Sequence, residues 1–233
     1  MLRATSRSGS RSLRSARAAA CALCVALFAS AARGDGEWQP VFTEDSVSVS
    51  QRNAPGRPMP DFRGEVEIAA DPYEILAVIL DVPAQSQWMW ECRESRLLRD
   101  ESDSVKLLYQ VIDARWPATD RDVVLRGEAD VLEPDHRISV RFQSVESPLA
   151  PPVAGLVRMR RLEGEFELVA VDPRRTRVTY TVAVDPGGLL PLAFLRETTS
   201  QSPFDTLVGL RRQVRETRGR YADVVSRWRM RDR

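Results

Sequence analysis

The residues with the most chemical potential are few and stand far apart in the sequence. His136 is the single histidine of the 233 residues, and it follows Glu-Pro-Asp in a predicted turn. A Ser–His–Asp triad needs a histidine buried beside a serine, and a metal site needs clustered His, Cys or carboxylate ligands. Gly187-Gly188 lacks the Lys-Ser/Thr context of a phosphate-binding loop. The sequence therefore predicts no catalytic residue, no metal and no cofactor.

One compact charge cluster remains, Asp120-Arg121-Asp122, at the start of a predicted strand. Its acids and arginine could be read as catalytic groups. Charged side chains at such a position more often form ion pairs that hold a turn in place. We therefore predict that these three residues are structural.

Residues 1–31 have the pattern of an export signal. They hold five arginines and no acid, and an apolar stretch at 18–29 leads to Ala29-Ser30-Ala31. A basic segment, a short apolar core and a small-residue exit are typical of a secretory signal peptide. We expect cleavage near Ala31 and a periplasmic or secreted protein. A buried N-terminal helix and an organelle transit peptide are the alternatives.

Removal of this segment would change both the cysteine content and the charge. Cys21 and Cys24 would leave with it, so Cys92 would remain as a lone cysteine that cannot close an intrachain disulfide. We therefore expect Cys92 to be dispensable and favour a monomer. The formal charge would fall from +1 to −4, and a mildly acidic domain is a poor candidate for a nucleic-acid partner.

The rest of the sequence predicts one antiparallel sheet. Apolar residues alternate with charged residues or threonine, and no strand–helix alternation indicates a parallel sheet. A stripe at i, i+3 and i+4 from Phe204 to Val214 predicts a terminal helix, continued by an Arg-rich tail. The predicted strands are 41–50, 62–69, 92–101, 104–115, 121–132, 136–145, 157–171 and 176–185, with short helices at 73–80 and 84–90.

A sheet with one apolar face needs one cover, and the long terminal helix is the obvious candidate. A curved sheet around a single helix often leaves space for a small ligand, although a filled core is the alternative. Gln110 and Tyr180 would then orient the ligand, because a few polar groups in an apolar pocket do so. The candidate cavity residues are Trp88, Leu108, Gln110, Ile112, Ile138, Val140, Phe142, Phe166, Tyr180, Val182, Phe204 and Leu207.

Several segments between residues 38 and 216 carry a family resemblance. They include Trp38 in EWQPVF, the segment FRGEVEIAADPYEILAV from Phe62, and TRVTYTVAVDPGG from Thr176. The most specific is the unit WPATDRD at 116–122. In this order they resemble the START lipid-binding domain, a branch of the Bet v 1-like helix-grip superfamily.

The resemblance implies an α+β helix-grip fold over residues 37–216, with a curved antiparallel sheet wrapped around a long C-terminal helix. It also implies an internal cavity for a sterol, phospholipid or other apolar molecule, and no chemistry. Some sterol-binding members have a buried acid–arginine pair across two strands. Here Gln110 stands at the acid position and Gly127 near the arginine position, with Arg126 one step away. The charged pair is therefore absent, and sterol specificity is not implied.

The leading hypothesis is a protein that binds a lipid or other hydrophobic small molecule, carries it between membranes and contacts them transiently. The basic tail at 217–233 could extend the closing helix, fray, or meet anionic lipid heads. The first alternative is a helix-grip enzyme, such as a cyclase, aromatase or hydrolase, that acts on an apolar substrate. The second is a non-catalytic interaction module.

Overall fold

A computed structural model describes residues 36–114, 116, 118–132, 137–188 and 199–231. The predicted signal peptide, its cleavage near Ala31 and the position of His136 lie outside the described residues.

The strands of the described residues form one largely antiparallel sheet. They are β1 Gln39–Glu44, β2 Val47–Arg52, β3 Asp61–Ile68, β4 Cys92–Asp100, β5 Val105–Ile112, β6 Arg121–Leu132, β7 Arg137–Ser144, β8 Val157–Arg158, β9 Arg161–Asp172 and β10 Arg175–Asp185. The order in the sheet is β1-β2-β3-β10-β9-β7-β6-β5-β4, and the short β8 pairs in parallel with β6. This curved sheet with helices against it confirms the predicted α+β fold.

Two predicted strands are each divided in the structure. The strand expected at 41–50 is the β1–β2 hairpin, because Asp45 and Ser46 turn the chain with φ of 45° and 62°. No glycine or proline marks that turn in the sequence, so the alternation of Val47 and Val49 concealed it. The strand expected at 157–171 is also divided, into β8 and β9, but here Met159 and Arg160 interrupt the strand and β8 pairs with β6.

The observed helices differ from the predicted ones in their bounds and, in one case, in their type. Helix α1, Pro72–Leu80, begins at Asp71, whose carboxylate accepts a hydrogen bond from the Tyr73 amide at 2.9 Å. The short helix expected at 84–90 is a 3₁₀ helix, Val82–Gln87. Helix α2 is Ser202–Glu216 and helix α3 is Ala222–Arg231. None of the described helices is long and apolar enough to cross a membrane.

The basic tail is a separate helix, not a continuation of α2. Gly219, with φ of 78°, lies between α2 and α3 and allows the chain to change direction. Helix α3 packs against α1 and buries Val225 and Trp228. The Tyr221 hydroxyl donates to the Asp81 carboxylate at 2.7 Å, which fixes the start of this helix. The tail is therefore part of the folded domain.

Helix α2 lies unusually close to the sheet and to the segment after the 3₁₀ helix. A Cβ atom added to Gly64 on β3 would lie 2.7 Å from Leu207 Cδ1, and one added to Gly209 would lie 2.0 Å from the Trp88 carbonyl oxygen. Leu207 and Leu210 are fully buried. Two glycines thus set the distance between α2 and its neighbours.

The sheet is apolar on both faces at the β5–β6 end, where one apolar face was expected. Tyr109, Val111 and Val124 on the outer face pack with Ala150 of the Pro-rich loop between β7 and β8. Asp122 holds that loop indirectly: its fully buried carboxylate accepts hydrogen bonds at 2.9 Å from Nε and Nη2 of Arg158. Arg158 Nη2 also donates to the Ala150 carbonyl at 3.1 Å.

We predict that Gly209→Ala destabilises the domain by about 1–3 kcal/mol. Alanine normally favours a helix relative to glycine by about 1 kcal/mol, but here its Cβ would overlap the Trp88 carbonyl oxygen, a backbone atom. Urea unfolding measures the change. Arg215→Ala, an exposed position of the same helix, is the control and should leave stability nearly unchanged. A Gly209→Ala protein as stable as the wild type would contradict the close packing.

Candidate functional site

Two adjoining pockets lie between the inner face of the sheet and the helices. The larger, which we call the α2 pocket, has a volume of about 110 Å³ and reaches Thr199, Ser202 and Thr206. The smaller, which we call the α1 pocket, has a volume of about 60 Å³ and reaches Ile79 and Leu80 of α1. Both are mostly apolar. The side chains common to both are Met89, Gln110, Leu162 and Tyr180.

Eight of the twelve candidate residues lie on the walls of these pockets. Gln110 and Tyr180 face both, and Ile112 and Val182 face the α2 pocket. The other four are in the α1 pocket: Leu108, Val140, Phe142 and Phe166.

The structure places the remaining four candidates in packed regions instead. The Trp88 ring packs edge-on against Phe166, with ring centroids 6.2 Å apart. Ile138 and Leu207 are fully buried in the main core, and Leu207 packs against Gly64. Phe204 packs edge-on against Phe42, with centroids 5.7 Å apart. Alternation and helical spacing identify an inward-facing residue, but they do not separate a packed contact from a cavity wall.

Gln110 is held by a neutral side-chain network. Its Nε2 donates to Oε1 of Gln85 at 2.8 Å, and that same oxygen accepts from the Ser95 hydroxyl at 3.0 Å. Gln85 Nε2 in turn donates to the Ile79 carbonyl at 2.9 Å. The sequence analysis missed Gln85, because Ser86 and Gln87 beside it are also polar and no local pattern marks Gln85 as the buried one. The considered acid position thus holds an amide, and its partner is a second amide from the 3₁₀ helix instead of an arginine on the neighbouring strand.

Tyr180 presents the second polar group. Its ring stacks on Phe166 at a centroid distance of 4.4 Å, and its hydroxyl shares a hydrogen bond with the Ser202 side chain. Burial raises the pKa of the phenol, so it stays neutral near pH 7. This hydrogen bond joins β10 to the first residue of α2 at the pocket wall.

The three residues of the Asp120-Arg121-Asp122 cluster have different surroundings. The two acids form ion pairs away from the pockets, whereas Arg121 lines the α2 pocket. Asp120 pairs with Arg93 and accepts from the Ala114 amide at 3.0 Å, and these contacts lower its pKa. Asp122 holds Arg158 on the outer face. Arg121 instead lies on the wall of the α2 pocket, where burial lowers the pKa of its guanidinium. Strand alternation already places residue 121 on the face opposite residue 122, and that signal was not used.

The described residues offer little for catalysis. No group of three His, Cys, Asp or Glu among them could hold a metal ion. Cys92 is a buried free thiol that donates to the Glu94 carbonyl at 3.3 Å. Burial, with the nearby charges of Asp113 and Glu94, raises its pKa to about 12. The thiol is therefore protonated and a poor nucleophile at neutral pH.

Comparison with known proteins identifies the family. The START domain family model matches residues 21–220. The chain belongs to the START domain family. An uncharacterised protein of Pseudomonas aeruginosa is 31% identical over 175 residues, which cover 75% of this chain and 85% of that protein.

Two solved START structures resemble the fold. A STAR-related lipid transfer protein fragment from Xanthomonas axonopodis is 32% identical, with a TM-score of 0.71, and the match covers 76% of this chain and 98% of that one. Human StAR-related lipid transfer protein 5 has the same TM-score of 0.71 at 21% identity, covering 79% of this chain and 89% of that one. At 21% identity, the match to the human protein supports the fold alone. Together with the family model, they confirm the START resemblance and the helix-grip fold.

We predict that Cys92 is unreactive in the folded protein and dispensable for folding. Raising the pKa from 9.0 to about 12 lowers the thiolate fraction at pH 8 by a factor of about 1000. In a chain carrying Cys21→Ser and Cys24→Ser, a disulfide reagent should label Cys92 rapidly only after unfolding. Cys92→Ser should remain a folded monomer. Rapid labelling of the folded chain, or loss of a native oligomer in Cys92→Ser, would contradict this prediction.

Proposed function

We propose that this START member binds a lipid or another apolar small molecule between its sheet and its helices, without catalysing a reaction. The observation that carries the proposal is the pair of adjoining apolar pockets, which share four lining residues. Apolar walls with a few placed polar groups are typical of small-molecule sites. The gain from burying an acyl chain is about 0.8 kcal/mol per CH₂ group.

The pockets must join to hold a long ligand. Their volumes of about 110 and 60 Å³ are below the roughly 300–1,000 Å³ of typical ligand sites. Met89 stands between them, and its unbranched thioether changes rotamer easily. We therefore propose that a ligand displaces Met89 and converts the two pockets into one.

An enzymatic role is the second candidate, and the described walls give it little support. Gln110 is a neutral amide and Tyr180 a neutral phenol, and the Asp113 carboxylate is paired with Arg93 at 2.9 Å. General acid–base catalysis needs a group whose pKa lies near the working pH. Neither the amide of Gln110 nor the neutral phenol of Tyr180 is such a group.

Transfer between membranes is a further part of the proposal. Trp116 is 90% exposed, and it stands between Ala114 and Ala118, which line the α2 pocket. Indole rings favour the membrane–water interface because they combine an apolar body with a polar N–H. We propose that this tryptophan touches the membrane while the ligand enters. Leu149 and Val153 are also exposed, but their loop lies on the outer face of the sheet.

Export is proposed from the N-terminal pattern alone. The basic segment, the apolar core and Ala29-Ser30-Ala31 support removal of residues 1–31. The N-terminal residue of protein recovered from the cell envelope tests this. A start at residue 32 or 33 would support export, and an intact Met1 would contradict it.

We predict that Val182→Trp weakens lipid binding at least about tenfold, because an indole would fill the α2 pocket. Arg177→Trp is the matched control: it adds the same ring to the same strand at an exposed position. Uptake of a fluorescent fatty acid and lipid occupancy by native mass spectrometry measure the effect, with thermal unfolding to check the fold. Equal binding by folded Val182→Trp and wild type would contradict binding in this pocket, and a wild type that takes up no lipid would contradict the proposed function.

A further inference from the structure

Arg121 is a buried cation on an apolar wall. The residue is only 6% exposed. Its Nη1 donates to the Thr119 carbonyl, while its Nε is buried without a hydrogen-bond partner in the described structure. No described carboxylate lies within ion-pair distance of it. Asp120 attracts the guanidinium electrostatically but forms no direct ion pair with it, and a buried cation without a close counter-ion is destabilising.

The acids nearest to Arg121 are engaged by other cations. Asp120, its neighbour in sequence, pairs with Arg93 and accepts from the Ala114 amide. Asp122 points to the opposite face and pairs with Arg158. Two carboxylates lie on the same pocket wall, Glu91 and Asp113, and Asp113 also pairs with Arg93.

Space is available beside the guanidinium. Gly188 has φ of 76°, and a Cβ atom added there would lie 3.9 Å from Arg121 Nη2. A Cβ atom at this position would be in ordinary van der Waals contact with Nη2, so no side chain of residue 188 covers that atom. The other residues on the wall include apolar side chains such as Met159 and Val184. Nε is thus a buried donor without a described acceptor, beside a pocket wall that is largely apolar.

We propose that Arg121 binds the anionic group of an apolar ligand, a carboxylate or a phosphate, at the α2-pocket end of the site. This inference rests on the proposed function and adds a charge preference to it. The guanidinium presents N–H donors in a planar fork that matches the oxygens of both groups. The apolar chain would run from Arg121 past Gln110 and Tyr180 towards the α1 pocket, where the described wall is largely apolar.

The first test uses the wild-type full chain and pairs of ligands that share their apolar chains and differ in whether the polar group is anionic or neutral. Hexadecanoic acid is compared with hexadecanol, and phosphatidic acid with diacylglycerol, by displacement of a fluorescent neutral probe. We expect the anionic member of at least one pair to bind about tenfold tighter or more, the size of one charge-assisted hydrogen bond. The pair with the larger difference identifies the carboxylate or the phosphate as the preferred group.

The second test assigns the preference to Arg121. In Arg121→Gln the anionic preference, taken as the ratio of the two affinities within each pair, should disappear. Arg126→Gln is the matched control, because Arg126 lies on the same strand, pairs with Glu128 and lines neither pocket. It should keep the wild-type preference. An equal loss for neutral and anionic ligands in folded Arg121→Gln would show a purely structural arginine and overturn the inference.

The outcomes separate this inference from the proposed function. Wild-type protein that binds the acid and the alcohol equally, and both phosphate-pair members equally, would overturn the role of Arg121 while leaving apolar binding intact. Tighter binding of hexadecylamine than of hexadecanoic acid would also overturn it and would point to the wall carboxylates. Binding of none of these ligands would contradict the proposed function itself. If Arg121→Gln fails to fold, the wild-type charge preference still decides the question.

Discussion

The close contact between helix α2 and the sheet is the constraint on which the rest of the structure depends. Gly64 and Gly209 carry no side chain where the helix meets β3 and the Trp88 backbone, so helix and sheet approach within direct contact. Leu207 fills the space above Gly64 and is fully buried. Because this contact is tight, helix α2 is fixed against β2, β3 and β10.

The pockets are a consequence of where that contact ends. Helix α2 reaches the α2 pocket only with its N-terminal end, at Ser202 and Thr206, in the part of the wall that the structure describes. Further along the sheet, the inner face is covered by α1 and the 3₁₀ helix, and Met89 and Gln110 stand where the covers meet. The outer face at this end is also covered, through Asp122, Arg158 and the loop at Ala150. The strands of this wall are therefore packed on both faces, and we expect the Met89 side to be the part that moves for a ligand.

Alternation was enough to predict most of the sheet and of the pocket walls. Ile112, Val140 and Val182 face inward because neighbouring residues on a strand point to opposite faces. The order of the elements also followed from the residue patterns. The START resemblance implied a helix-grip fold, and the family match confirms that resemblance. Local pattern did not predict which inward residues pack directly, as Ile138 and Leu207 do, because that depends on the distance to the covering helix.

The features that the sequence analysis missed depend on backbone geometry or on distant partners. The turn at Asp45 and Ser46 needs a positive φ at two residues that are not glycine, and such residues rarely adopt one. Gly219 follows the end of α2 and allows the chain to change direction before α3. Gln85 becomes part of the site only because Gln110, 25 residues away, approaches it. Arg121 was assigned to a charge cluster because Asp120 and Asp122 flank it, yet both acids have other partners.

The central claim is that an apolar ligand occupies the space between the sheet and its helices. Photoaffinity labelling tests it most directly, with the full chain and a fatty acid that carries a diazirine at the end of its acyl chain, followed by peptide mass spectrometry. The account predicts labels on wall residues such as Met89, Val140 and Leu162, and competition by unlabelled fatty acid. Labels confined to exposed apolar side chains such as Leu149 and Met230, with the walls unlabelled, would contradict it.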